Sequence, residues 1–294
     1  MRLLLLLACA LALPCQAQQR VRSLDEIPAA LATPEGREVW ATQMAGRPAP
    51  DRLGTRLPDG LDRATLLQAL WPGVDPARAQ LVGARAWAQH PGHAVAIACI
   101  GDEPVPAQAE PECDAWSTRA ALAVLRIDAG PPRVVARLAL DGSAGWPPLD
   151  WEGDAPQSVG DEPGALPQRW DRFDLAPYRL GDGPPAFGLR GSWSEGYSGG
   201  GASYSALYLF ELRGDALAPV FAAPMSLYRD IAGDWNEDGT RQHDIEDWAR
   251  VLVVEPARHD GRHDLRLRER GTRSGGQRWR WSSADGRYRR LPPP

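Results

Sequence analysis

Apolar and polar positions along the chain change period once, near residue 93. Before that point the apolar residues recur at helical spacing. Thr33-Pro34-Glu35 supplies a capping hydroxyl, a proline at the first helical position and an early carboxylate. Val39, Trp40 and Met44 then share a face until Gly46. A second helix is predicted from Leu61 to Trp71, with Leu61, Ala64, Leu67 and Leu70 on one side and Pro72-Gly73 as its stop. The intervening stretch 46–60 reads as loop.

From His93 onward the pattern is that of strands. HAVAIACI, starting at His93, is a short apolar run enriched in β-branched residues, as in a buried strand. A proline-rich excursion follows. Ala121 to Leu140 then reads as strand, Gly/Pro turn and returning strand. The same plan recurs from Ala206 to Pro224 and aligns without gaps: Leu122 meets Leu207, Leu125 meets Phe210, Ile127 meets Leu212 and Val135 meets Val220. A weaker third copy, RWRWSSADGRYRRL, closes the chain. An offset of about 85 residues is too long for a solenoid and points to an internal duplication of hairpins. Residues 141–186 are rich in Pro, Gly and Asp with little periodicity. Trp146, Trp151, Trp170 and Phe173 demand burial there, so the segment is expected to cross over the repeats rather than link domains.

These patterns predict a mainly β fold: antiparallel hairpins forming a sandwich or an irregular, propeller-like meander. A short-helix region at 18–92 precedes a β-rich domain at 93–294.

The first residues carry one charge at Arg2, an apolar run from Leu3 to Leu13 and small residues around Cys15-Gln16-Ala17. This reads as a secretory signal cleaved after Ala17, placing the protein in the periplasm or outside the cell; the run is too short to span a bilayer. A lipobox reading of Leu6-Leu7-Ala8-Cys9 leaves too short an apolar stretch before the cysteine. No other apolar segment is long enough to cross a membrane. After cleavage only Cys99 and Cys113 remain of the 4 cysteines, and an oxidising compartment favours a disulfide between them over a metal site without nearby histidines. All 33 basic residues are arginine, and the net charge of −5 makes no case for nucleic acid.

Asp234, Asn236 and Asp238 alternate ahead of Gly239. They occupy the first three ligand positions of a calcium loop, with Thr240 offering a carbonyl and Asp244 a displaced closing carboxylate. Ile245 stands where the bidentate glutamate belongs, and the competing expectation is an acidic hairpin turn around Asp238-Gly239. Calcium is thus the one cofactor in question. The run from Gly191 to Glu246, including GSWSEGYSGGGASYSALYLFEL and IAGDWNEDGTRQHDI, resembles segments of uncharacterised secreted proteins of Proteobacteria. That resemblance spans about a fifth of the chain and implies a compartment, without an activity.

GYSGGGASY leads into a strand and lacks the Gly-Lys-Ser/Thr of a phosphate loop, so it reads as a hairpin loop. Beside it, Trp193 and Tyr197 are candidates for stacking a ring-shaped ligand. The pairs His90/His93 and His259/His263 each lack a third zinc ligand. Gly196-Tyr197-Ser198-Gly199-Gly200 matches the letters Gly-x-Ser-x-Gly, but it leads into a strand pattern and not the helix that a nucleophile elbow requires. From Arg250 onward 12 arginines face 5 acids, and the Arg/Leu and Arg/Trp alternation sets an arginine row on one strand face. Such a row suits anionic envelope polymers, or else is the solvated face of edge strands. The function expected is a non-enzymatic binding or structural module. The rival is a hydrolase of envelope glycans using carboxylates near Glu195.

Overall fold

The structure is a computed structural model; it describes residues 19–292 apart from 48–49, 107, 116, 129, 143–145 and 160–165. Residues 1–17, read above as a secretory signal, lie outside the described residues. A short strand β1 (Gln19–Val21) is followed by helices α1 (Ile27–Ala30), α2 (Pro34–Val39) and α3 (Arg63–Leu70). Twelve further strands follow: β2 (Ala79–Ala86), β3 (His93–Gly101), β4 (Thr118–Arg126), β5 (Arg133–Ala139), β6 (Arg169–Tyr178), β7 (Ala186–Tyr197), β8 (Gly200–Arg213), β9 (Ala216–Trp235), β10 (Arg241–His259), β11 (Arg262–Glu269), β12 (Gln277–Ser282) and β13 (Arg287–Arg290).

The pairing resolves into three consecutive four-stranded antiparallel meanders: β2–β5, β6–β9 and β10–β13. They join into one open sheet. The β9–β10 hairpin and a single parallel bridge from Arg137 to Ala216 make the joints.

The meanders stack face to back. One face of the first, with Ala96, Ala98, Ala121, Ala123 and Leu125, lies under Leu66, Leu67 and Leu70 of α3. Alanines let the helix approach closely, and each leucine so buried contributes about 1.5–3 kcal/mol. The other face, with Val95, Ile97, Leu122 and Val124, packs on Phe187, Leu189, Tyr208 and Phe210 of the second meander. The far face of the second, with Leu207, Leu209, Val220 and Phe221, packs in turn on Leu265, Leu267, Trp279 and Tyr288 of the third. This is the stacking sense of successive propeller blades, without closure. It also explains why β3 shows no alternation: both of its faces are covered.

The repeated hairpins agree in detail. Leu122 pairs with Leu138 and Leu207 with Ala223, while Leu125 pairs with Val134 and Phe210 with Pro219. Each ladder carries a bulge at the same place, between Val124 and Leu125 in one and between Leu209 and Phe210 in the other. The closing hairpin, β12–β13, is the third strand–turn–strand unit.

Three local expectations need correction. The sheet begins before residue 93, because β2 lies at Ala79–Ala86; Gly83 and Arg85 mask its apolar character. The crossing ends at β6. Bulges at Trp170/Arg172 and Asp174/Tyr178 break that strand's alternation and hid it. Trp146, Trp151, Trp170 and Phe173 are buried as expected. In α3 it is Leu66, not Ala64, that joins Leu67 and Leu70 on the buried face.

Thr33 caps α2 by accepting from the Gly36 amide, and Asp62 caps α3 by accepting from that of Thr65. A single π-type turn, Trp40–Met44, extends α2 and leaves Met44 exposed. Cys99 and Cys113 are bonded, fully buried, with their Cα atoms 5.5 Å apart.

Candidate functional site

The second meander changes character along its length. Where β11–β13 cover it, its outer face is Leu, Val and Phe. Beyond the bulge between Ser205 and Ala206, where Met225 is the extra residue, the same face turns to serine. Ser192 stands opposite Ser205, and Ser205 opposite Ser226. The next row across the strands is Ser194, Ser203, Tyr228 and Asp247.

The helical segment roofs this floor. Asp247 accepts hydrogen bonds from the Thr33 amide at 2.8 Å and the Thr33 hydroxyl at 2.5 Å. Gly36 lies directly against it; a Cβ there would come within 2.5–2.9 Å of that carboxylate and force it to shift. The Ser203 hydroxyl bonds Gln43 in the π-type turn. Roof and floor stay apart between these anchors, and a cavity of about 670 Å³ remains. That volume is in the range of small-molecule sites.

One wall is cationic. Arg172 and Arg190 are cross-strand neighbours on β6 and β7, and Arg52 and Arg169 also line the cleft. Arg190 pairs with Asp174 at 2.8 Å, Arg52 with Glu38 at 2.5 Å and Arg169 with Asp171 at 2.9 Å. Arg172 has no hydrogen bond or ion pair among the described residues. Burial, and then the charges of Arg190 and Arg52, hold its guanidinium below the ordinary arginine range.

The residues singled out by sequence are placed otherwise. Trp193 lines the cleft but is only 2% exposed, with its ring edge-on to Trp151 at 5.4 Å. Tyr197 is half-buried against the same core, and its hydroxyl donates to Glu195 at 2.6 Å. The two are core aromatics, not a stacking platform, because their shared strand face is the one turned toward the first meander. Glu195 also accepts from the amides of Gln157 and Ser158 and from the Tyr204 hydroxyl. A carboxylate with four donors is a tie between the second meander and the crossing segment.

Asp234, Asn236, Asp238, Thr240 and Asp244 do not converge. Asn236, Asp238 and Thr240 form the β9–β10 turn: Asp238 accepts from the amide and hydroxyl of Thr240, and the Thr240 carbonyl accepts from the Asn236 amide. Asp234 is exposed on β9. Asp244 is drawn away to Arg20 on β1, at 2.8 Å. Gly239, at φ 82°, takes the left-handed position that the turn needs. Among the described residues no group of three or more His, Cys, Asp or Glu is placed to share an ion. Gly199, also left-handed, makes the β7–β8 connection a tight turn.

Part of the C-terminal arginine set is matched by carboxylates, while Arg268, Arg273 and Arg278 have no ion pair among the described residues. Arg250 and Arg290 pair with Glu152, Arg266 with Glu255, Arg289 with Asp285, Arg262 with Glu211 and Arg270 with Glu35. Sequence reasoning missed the serine floor and Arg172 altogether. The only available signal was a set of serines in strands otherwise made of large apolar residues.

Comparison of the chain with protein-family models, with curated proteins and with solved structures finds no match. Fold and cleft alone define the class: an open stack of antiparallel meanders carrying a roofed polar cavity. No helix among the described residues is long and apolar enough to cross a membrane.

Proposed function

We propose that this chain is an exported, non-enzymatic binding protein that seats a small polar ligand in the serine-floored cleft. The serine patch carries this reading. A sheet face at the centre of a stack is ordinarily filled by large apolar groups, yet here Ser192, Ser205 and Ser226 replace them and leave room above. The roof is held by specific bonds at Thr33 and Gln43 and not by collapse onto the floor.

The decisive experiment is binding calorimetry of the exported protein against neutral and acidic monosaccharides, repeated with Ser205→Leu to fill the cavity and with Ser226→Ala as a milder change. Binding that Ser205→Leu removes, while the circular dichroism spectrum is kept, supports the cleft. Binding untouched by both changes moves the site elsewhere. Export with cleavage after Ala17 belongs to the same proposal, and the intact mass of the mature chain tests it.

A further inference from the structure

The charges around the cleft carry the preceding reading one step further, and this step rests on the cleft being the ligand seat. Arg52, Arg172 and Arg190 are close enough to repel one another. Two of the three are matched, Arg190 by Asp174 and Arg52 by Glu38. Asp174 and Glu38 reach Arg172 only by longer-range attraction. The remaining acids of the lining are engaged or peripheral. Asp51 accepts from the amides of Thr55 and Arg56, Asp171 holds Arg169, Glu35 holds Arg270 outside the lining, and Glu110 and Glu112 are exposed on the rim. One half-buried positive charge is left over.

A guanidinium in this position has lost part of its hydration and holds five donors in a rigid fork, the geometry that matches a carboxylate or phosphate. The hydroxyls of Ser192, Ser205 and Ser226 make no hydrogen bond among the described residues. Each is a donor and an acceptor at once, which complements other hydroxyls. We propose that Arg172, seconded by Arg190, anchors one oxyanion of a ligand whose hydroxylated body lies on the serine floor. A single uncompensated charge calls for a monoanion such as a sugar acid; a sugar phosphate carries about −1.5 to −2 at pH 7 and exceeds it.

The test is calorimetry on the full mature chain with D-gluconate, D-glucuronate, glucose 6-phosphate, inorganic phosphate and neutral D-glucose, for wild type and Arg172→Gln. The sugar acids are expected to bind more tightly than glucose, and at least as tightly as the doubly charged glucose 6-phosphate. Their affinity should fall with salt and drop about 10- to 100-fold in Arg172→Gln, while glucose is unaffected. Free Arg172→Gln should unfold at no lower temperature than wild type, since Arg172 has no partner to lose; this separates lost binding from lost fold. If glucose binds as well as the anions and Arg172→Gln changes neither, the anchor is wrong but the cleft survives, provided Ser205→Leu abolishes both. If inorganic phosphate binds as tightly as the sugar anions, the hydroxylated body is wrong. If no probe binds, both the anchor and the cleft are rejected.

Discussion

Asp230 and His243 lie side by side on β9 and β10, both buried, with Asp230 Oδ1 2.7 Å from His243 Nδ1. Burial raises the Asp230 carboxyl above its ordinary value, and the bond to His243 only partly opposes this. A carboxyl raised on folding favours the native state most below its unfolded value, and that contribution is lost as pH rises through the folded value. At neutral pH the ionised Asp230 is therefore a net cost. Asp230→Asn keeps an oxygen for His243 and should unfold at a higher temperature than wild type at pH 7. The gap should narrow as pH falls toward about 4. Thermal unfolding of both proteins from pH 3 to 8 checks this; a gap that widens toward acid reverses the sign.

The Cys99–Cys113 bond ties the end of β3 to the loop that precedes β4. Closing a loop of this length is worth about 3 kcal/mol in the chain-entropy model. The double variant Cys99→Ser, Cys113→Ser should lose about that much in urea unfolding, with the slope of the transition changing as the denatured chain relaxes. Equal stability in the two forms would show that the cross-link constrains nothing.

Glu195 holds the crossing segment to the second meander through the amides of Gln157 and Ser158. Glu195→Ala should leave the global unfolding midpoint nearly unchanged yet raise amide hydrogen exchange around residues 150–159. Exchange that rises equally throughout the sheet would instead mark Glu195 as part of the core.

The turn at Asn236–Thr240 uses its own acceptors internally, so millimolar calcium or a chelator should leave the melting midpoint where it is. Asp238→Ala should loosen the turn by removing the acceptor for Thr240. A calcium-dependent rise in midpoint that Asp238→Ala abolishes would restore the ion.

Legibility in the sequence followed the range of the interactions. Caps such as Thr33 and Asp62 act within three residues, and the hairpin match of Leu122 to Leu207 survives because it is carried by consecutive side chains. The Asp-x-Asn-x-Asp-Gly run was ambiguous for the opposite reason. A calcium loop and a hairpin tip need the same residues, and only Arg20, more than two hundred positions away, decides where Asp244 goes. Arginine alternation in β11 was visible, but the partners of Arg262 and Arg266, Glu211 and Glu255, sit on other elements. The cleft was least legible. Ser192, Ser205 and Ser226 become neighbours only through register, and register here depends on a bulge at Met225 that no local signal announces.

The face-to-back order of the stack has a consequence in time. A chain emerging N-terminus first completes β5 at Ala139 with α3 already available for one face, while the face bearing Ile97, Leu122 and Val124 waits for Phe187 and Phe210. At about 5–20 residues per second, the roughly 70 residues between take several seconds. Trp146 and Trp151, next in line, belong to the same apolar cluster as that face. The crossing segment therefore supplies the first further members of that cluster, at the point where a half-finished stack is most prone to stick to another.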